Sequence, residues 1–307
     1  MDWKGLCNSP CNLCPRECGA QREKGQTGYC LSDDRMFVAR AALHMWEEPC
    51  ISGEKGSGTV FFTGCNLRCV YCQNYEIANK VPVGKEVSIK KLGEIFLRLQ
   101  DKGAANINLV TPGHHVMAIA QAVLDAKQKG LVIPVVYNGS GYEKSEVIRN
   151  LSGIIDIFLT DFKYMDGETA LRYSSAPDYP KAAKAALGEM VKAAGRPVFD
   201  KEGMMQGGVI VRHLLLPGHK KNAKNVISYV YETYKDDVFL SLMNQYTPLE
   251  RVKGKPEFGS LGRKVTKREY EDVVDYAIGL GVRNAFIQEG GTAKESFIPA
   301  FDGEGVD

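Results

Sequence analysis

Cys65, Cys69 and Cys72 stand at a C-x3-C-x2-C spacing inside Gly64-Cys65-Asn66-Leu67-Arg68-Cys69-Val70-Tyr71-Cys72-Gln73-Asn74. Three thiolates this close can hold three irons of a cubane [4Fe–4S] cluster, which usually takes four cysteine ligands. One iron is then left open to a second molecule, because no cysteine follows Cys72 in the sequence to close it. A structural zinc site is the plainer use of such thiols, but zinc knuckles take C-x2-4-C pairs with a fourth Cys or His supplied elsewhere. An aromatic residue, Tyr71, directly precedes the last cysteine.

A second set, Cys11, Cys14, Cys18 and Cys30, supplies four thiolates and no open position. Four thiolates fit a structural zinc or a second iron–sulfur cluster. The segment around them is small, lacks a core of its own and is fastened by its own cysteines, as metal-dependent modules are. Cys7 precedes the set by four residues and can replace a member, whereas Cys50 reads as a small buried residue.

The elements that must carry these thiols follow from the rest of the 307 residues. Residues 1–57 are rich in Cys, Gly, Pro and charge, with no sustained period, and are expected to form an irregular N-terminal metal-binding module. From residue 58 to 307, β-rich runs alternate with amphipathic stretches, the signature of βα units on a parallel sheet. Seven runs are expected as strands: 59–63, 106–110, 133–137, 155–160, 209–215, 238–243 and 284–288. Helices are expected at 88–102, 116–129, 221–234 and 267–280. Ser88 and Thr266 are N-caps, and Gly103, Gly130 and Gly281 are stops. An extra helix at 178–194, with Ala182, Ala186, Met190 and Ala194 on its apolar side, leads into a turn or small hairpin ending at Gly207-Gly208. Six or seven βα units without an eighth give an α/β fold of the partial (β/α)6-type TIM barrel kind, with active groups at the C-terminal strand ends. Residues 301–305 read as a tail crossing the surface.

Composition excludes several alternatives. The net charge is +2, with 44% hydrophobic and 25% charged residues, so there is no overall attraction to nucleic acid or membrane. No apolar run reaches the ~18 residues of a spanning helix, and the start lacks a secretory apolar core. A cytoplasmic chain is expected, in which clustered cysteines read as metal ligands rather than disulfides.

The cysteine motif after the first barrel strand resembles the radical S-adenosylmethionine (SAM) superfamily, marked by C-x3-C-x-aromatic-C, over roughly residues 57–290. Within it the chain is similar to the activating-enzyme branch typified by pyruvate formate-lyase activating enzyme, and to a subgroup carrying GSGTVFFTGCNLRCVYCQN and an N-terminal cysteine module. The resemblance implies that Cys65, Cys69 and Cys72 hold the cluster and that SAM chelates the open iron through its amino and carboxylate groups. One electron then breaks the sulfonium bond, and a 5′-deoxyadenosyl radical abstracts a substrate hydrogen. It also implies a low-potential electron donor of the flavodoxin or ferredoxin type and, as substrate, a glycine in a partner glycyl-radical enzyme. The alternatives are a small molecule or another macromolecule as substrate, or a non-catalytic iron–sulfur electron carrier.

The same resemblance places cofactor contacts at the strand ends, with Tyr71 among them. Much of the superfamily has Gly-Gly-Glu after strand two to hold the SAM amino group. This chain departs from that with Thr111-Pro112-Gly113-His114-His115, where backbone carbonyls near Thr111 can serve and His114 faces either substrate or the rim. Asn138 lines up with a residue near the methionyl end, though Asn138-Gly139-Ser140-Gly141 also reads as a plain turn. Asp161 and Lys163 share a face by the period of two and match an Asp-x-Lys of the activating enzymes, either binding SAM or pairing with each other. Arg212 is expected inward toward the carboxylate or ribose, with His213 on the opposite face. Gln245 substitutes for a histidine near the ribose, and Gln288 and Glu289 are further candidates.

Overall fold

The computed structural model describes residues 3–80, 83–288 and 299–307, and in them the chain alternates strand and helix as its periodicity requires. The strands are β1 (Phe37–His44), β2 (Ser57–Phe62), β3 (Lys85–Glu86), β4 (Ile107–Val110), β5 (Val135–Gly139), β6 (Ile157–Asp161), β7 (Val198–Phe199), β8 (Met205–Leu214), β9 (Phe239–Met243) and β10 (Ala285–Ile287). β2, β4, β5, β6, β8, β9 and β10 pair in that order, all parallel. They coincide with the seven expected runs, and the α/β partial barrel is the fold observed. β7 forms the expected small hairpin with β8.

Local chemistry fixes the helix ends. The Ser88 side chain accepts from Lys91 N–H at the start of Ile89–Asp101. Thr266 and Glu269 form a reciprocal capping box at the start of Lys267–Leu280, which ends at Gly281 in the left-handed conformation. The extra helix is Tyr179–Ala194, and Ala183, Ala186, Leu187 and Met190 are its buried side. No helix among the described residues is long and apolar enough to cross a membrane.

One strand was not foreseen. Phe37–His44, counted above with the N-terminal module, is hydrogen-bonded antiparallel to β2 and so belongs to the sheet. Its other edge is covered in part by β3 and in part by the C-terminal tail, where Ala41 N–H donates to Glu304 O and Gly303 N–H to Ala39 O. The connection from β1 to β2 then enters the barrel: Cys50 and Ile51 are buried against Val136, Ile157, Leu159, Met205 and Ile210. By the period of two, Asn138, Asp161 and Arg212 lie one step further along the same strand faces. The interior is therefore apolar at one level and charged at the next.

The N-terminal segment is fastened by Arg22. Its buried guanidinium donates to Asp33 O, Asn8 Oδ1 and His114 O, and meets His115 Nδ1 at 3.2 Å. Cys50 is buried, as expected of a small core residue.

Candidate active site

The cysteine loop leaves β2 and lies across the mouth of the barrel, held from several directions. Cys65 N–H donates to Cys30 O, and Val70 N–H and Arg68 N–H donate to Tyr173 O and Ser174 O. Arg251 donates to Val70 O and Cys72 O while its guanidinium stacks 3.9 Å from the Tyr75 ring. Arg16 reaches Asn66 O from the N-terminal segment.

Burial pushes all three thiols of the loop up, Cys72 to about 12, and the neighbouring thiols push Cys65 and Cys72 further. Metal-free, they stay protonated near neutrality, so loading iron must release protons.

Cys69, Tyr71 and Cys72 line a cavity together with Asn138, Asp161, Lys163, Arg212 and Gln245. The sequence-predicted residues of β5, β6, β8 and β9 are thus brought to one place. Lys163 Nζ donates to Asp161 Oδ2 at 2.6 Å, and Arg212 Nε to Asp161 Oδ1 at 3.2 Å. Burial works against the Asp161 charge, but Lys163 and then Arg212 outweigh it and hold the carboxyl below its usual range. Burial likewise opposes the Lys163 and Arg212 charges, and Asp161 leads in overriding it and raising both. Arg212 Nη2 also donates to Asn138 Oδ1.

Tyr179 ties the strand ends from the extra helix. Its hydroxyl donates to the carbonyls of Ser140 and Asp161, at 2.8 and 3.1 Å, and accepts from Lys163 N–H. Gly141 beside it has φ +77, and a Cβ there would meet Asp161 O at 2.2 Å, so this close approach requires glycine.

Gln245 lines the cavity and its side-chain carbonyl accepts from Gln288 Nε2 at 3.2 Å, which makes Gln288 a support rather than a wall. Glu289 lies outside the described residues. Thr111 sits beside the lining residue Val110, in the left-handed region at φ +58, and is not itself among the lining residues. His114 is neither in the cavity nor exposed at the rim: it is buried, and its Nε2 lies 2.6 Å from Thr63 O just before the cysteine loop. His213 faces away from the cavity as expected, its Nδ1 2.7 Å from Phe162 O.

Glu47 is a site residue the sequence reading missed. It lines the cavity, accepts from Asn108 Nδ2 at 2.9 Å and pairs with Arg212 Nη1 at 3.2 Å. Burial raises its carboxyl, with Arg212 opposing. Beside it Glu48 is buried, with Oε2 lacking any partner among the described residues. The signal was two adjacent acids between the apolar pairs Met45-Trp46 and Cys50-Ile51, where unpaired charges would be costly.

In the N-terminal segment, Cys18 and Cys30 flank Gly28, where a Cβ would lie 3.1 Å and 3.5 Å from their sulfurs. The Cys7 thiol instead donates to Ser9 O. Among the described residues, no three Cys, His, Asp or Glu side chains converge closely enough to hold a single metal ion.

Comparison with known proteins bears on the family and the fold. The family model described as Radical SAM superfamily matches residues 59–226. An uncharacterized protein of Methanocaldococcus jannaschii is 28% identical over 276 residues, covering 87% of this chain and 74% of that protein. A pyruvate formate-lyase-activating enzyme of Clostridium pasteurianum is 29% identical over 116 residues, 36% of this chain and 46% of the enzyme, so the match spans less than half of that relative. Among solved structures, a radical SAM methyltransferase from Sphaerobacter thermophilus is similar in fold, with a TM-score of 0.51 at 13% identity, covering 76% of this chain and 66% of that one.

Proposed function

The chain belongs to the radical SAM superfamily, and on that premise we propose that it is an activating-enzyme-like oxidoreductase abstracting hydrogen from a glycine of a partner glycyl-radical enzyme. The observation that carries this reading is the meeting of Cys69 and Cys72 with Asn138, Asp161, Lys163 and Arg212 in one cavity. The donor set suits a [4Fe–4S] cluster, with three thiols on one desolvated loop and no imidazole or carboxylate among them. When bound there, the cluster and SAM supply one electron and a 5′-deoxyadenosyl radical for hydrogen abstraction.

The chain's own residues supply position and exclusion of water. Arg212 offers a fork suited to a carboxylate, and Asp161 and Glu47 offer acceptors to an amino group. Each of the three already has a charged partner within the cavity, so a zwitterion can enter by exchanging one ion pair for another without stranding a charge. Asn138 and Gln245 provide neutral hydrogen bonds beside them. Tyr71 gives an apolar wall, and Thr111 a strained backbone turn near its edge.

That Cys11, Cys14, Cys18 and Cys30 bind zinc or a second iron–sulfur cluster, on loading that draws the four thiols together, is part of the same proposal, the N-terminal module giving way to the sheet at Phe37 rather than at residue 57. So is a low-potential flavodoxin- or ferredoxin-type donor. The match to an activating enzyme supports the protein substrate.

The test is anaerobic incubation of reduced, reconstituted protein with SAM and a candidate glycyl-radical partner. A protein-based glycyl doublet in the electron paramagnetic resonance (EPR) spectrum is the expected result. Formation of 5′-deoxyadenosine with no partner radical, for any candidate tried, favours a small molecule or another macromolecule as substrate.

A further inference from the structure

A hydrogen-bonded string leads from the Cys69 sulfur back to the Tyr71 hydroxyl of the same loop. Cys69 Sγ lies 2.9 Å from Ser174 Oγ, Ser174 Oγ 2.7 Å from Tyr164 Oη, and Tyr164 Oη 2.6 Å from Tyr71 Oη, every member buried. We propose that Ser174 donates a hydrogen bond to the cluster-bound sulfur of Cys69 and, oriented by Tyr164 and Tyr71, raises the reduction potential of the cluster. This rests on the reading of Cys65, Cys69 and Cys72 as cluster ligands.

The direction of the string follows from the donor inventory. A metal-bound thiolate has no proton and can only accept, so the Ser174 hydroxyl must give it its hydrogen. Ser174 Oγ is then free to accept from the Tyr164 hydroxyl, and Tyr164 Oη from that of Tyr71. Each hydroxyl donates once, and each bond polarises the next in a water-poor setting.

The backbone holds Ser174 in place independently of the side-chain bond. It is the last residue of helix Gly167–Ser174, followed by Ser175 in the left-handed region at φ +53. Its carbonyl accepts from Arg68 N–H, and the Tyr173 carbonyl accepts from Val70 N–H, so the helix end is laddered to the two residues flanking Cys69. Arg16 Nη2 donates to the Ser174 carbonyl from the N-terminal segment.

A hydrogen bond to a cluster sulfur strengthens as the cluster gains negative charge, so it favours the reduced state. Reduction takes one electron from an external low-potential donor, and no bond is made or broken at Ser174.

The test is EPR-monitored titration with dithionite of full-length, anaerobically reconstituted protein. It follows the reduced-cluster signal that changes when SAM is added, since that change marks the cluster with the open iron. Ser174→Ala is expected to make reduction about tenfold less favourable, which is 59 mV for one electron. Ser174→Thr, which keeps the hydroxyl, is expected to restore most of the shift, and Tyr164→Phe to move the potential the same way by less. An unchanged potential in Ser174→Ala overturns the proposal. If Ser174→Ala does not hold a cluster, an unchanged potential in Tyr164→Phe overturns it instead. Wild-type protein with no SAM-responsive cluster contradicts the underlying cysteine assignment, a result distinct from an unshifted variant.

Discussion

Glu143 is a buried carboxyl whose Oε1 accepts from Ser140 N–H at 3.2 Å and whose Oε2 has no partner among the described residues. Burial raises it from 4.5 to about 7. The native state therefore keeps this proton up to about pH 7, whereas the unfolded chain releases it near 4.5. Between those values the native state binds more protons, and stability falls as pH rises. Glu143→Gln is expected to be more stable than wild type at pH 8 by roughly 3 kcal/mol, with most of the gain absent at pH 5. Urea unfolding at the two pH values checks this, and an equal difference at both contradicts it. The residues legible in the sequence were those whose chemistry is local. Cys65, Cys69 and Cys72 declare themselves by spacing, and Asp161 and Lys163 by sharing a strand face. Ser174 was not legible, and Glu47 only as one of two adjacent acids, because their partners, Cys69 and Arg212, are distant in sequence and adjacency to them is made by the fold.

Strands and helices were readable where a signal repeats or caps within a few residues. The seven parallel strands stand out as short apolar runs bounded by turns, and Thr266 stands out as a cap because Glu269 follows three residues later. Phe37–His44 escaped because it lies in a cysteine-rich stretch read as coreless, and because the connection 45–56, rather than a tight turn, joins it to its partner β2. At this scale the capping box carries a prediction. Thr266→Ala is expected to cost about 1 kcal/mol of unfolding free energy, by loss of a hydrogen bond to the Glu269 amide at the start of Lys267–Leu280. Chemical denaturation checks it, and a change within experimental error would mean that Glu269, also held by Arg263, secures that end alone.

At the scale of the molecule, two distant pieces of chain close the open barrel over its site. The C-terminal tail lies along β1, and Gly305 there could not carry a Cβ, which would meet Ala41 O at 1.9 Å. The N-terminal segment reaches the cysteine loop through Arg16 and Cys30, and the turn after β4 through Arg22, so its cysteines and those of the loop are mechanically joined while proposed to do different work. Cys14→Ala is accordingly expected to lower the thermal midpoint before it affects chemistry, and Cys69→Ala to abolish chemistry while the fold persists. Thermal unfolding run beside iron content separates the two, and identical loss of iron and fold in both contradicts the division of labour. The central claim, that the three loop cysteines support reductive cleavage of SAM, is tested most directly by quantifying 5′-deoxyadenosine from protein reconstituted with iron and sulfide, reduced, and mixed anaerobically with SAM. Stoichiometric or greater product from wild type and none from Cys69→Ala is the predicted result. Absence of 5′-deoxyadenosine from wild type with a fully loaded, reduced cluster would contradict it.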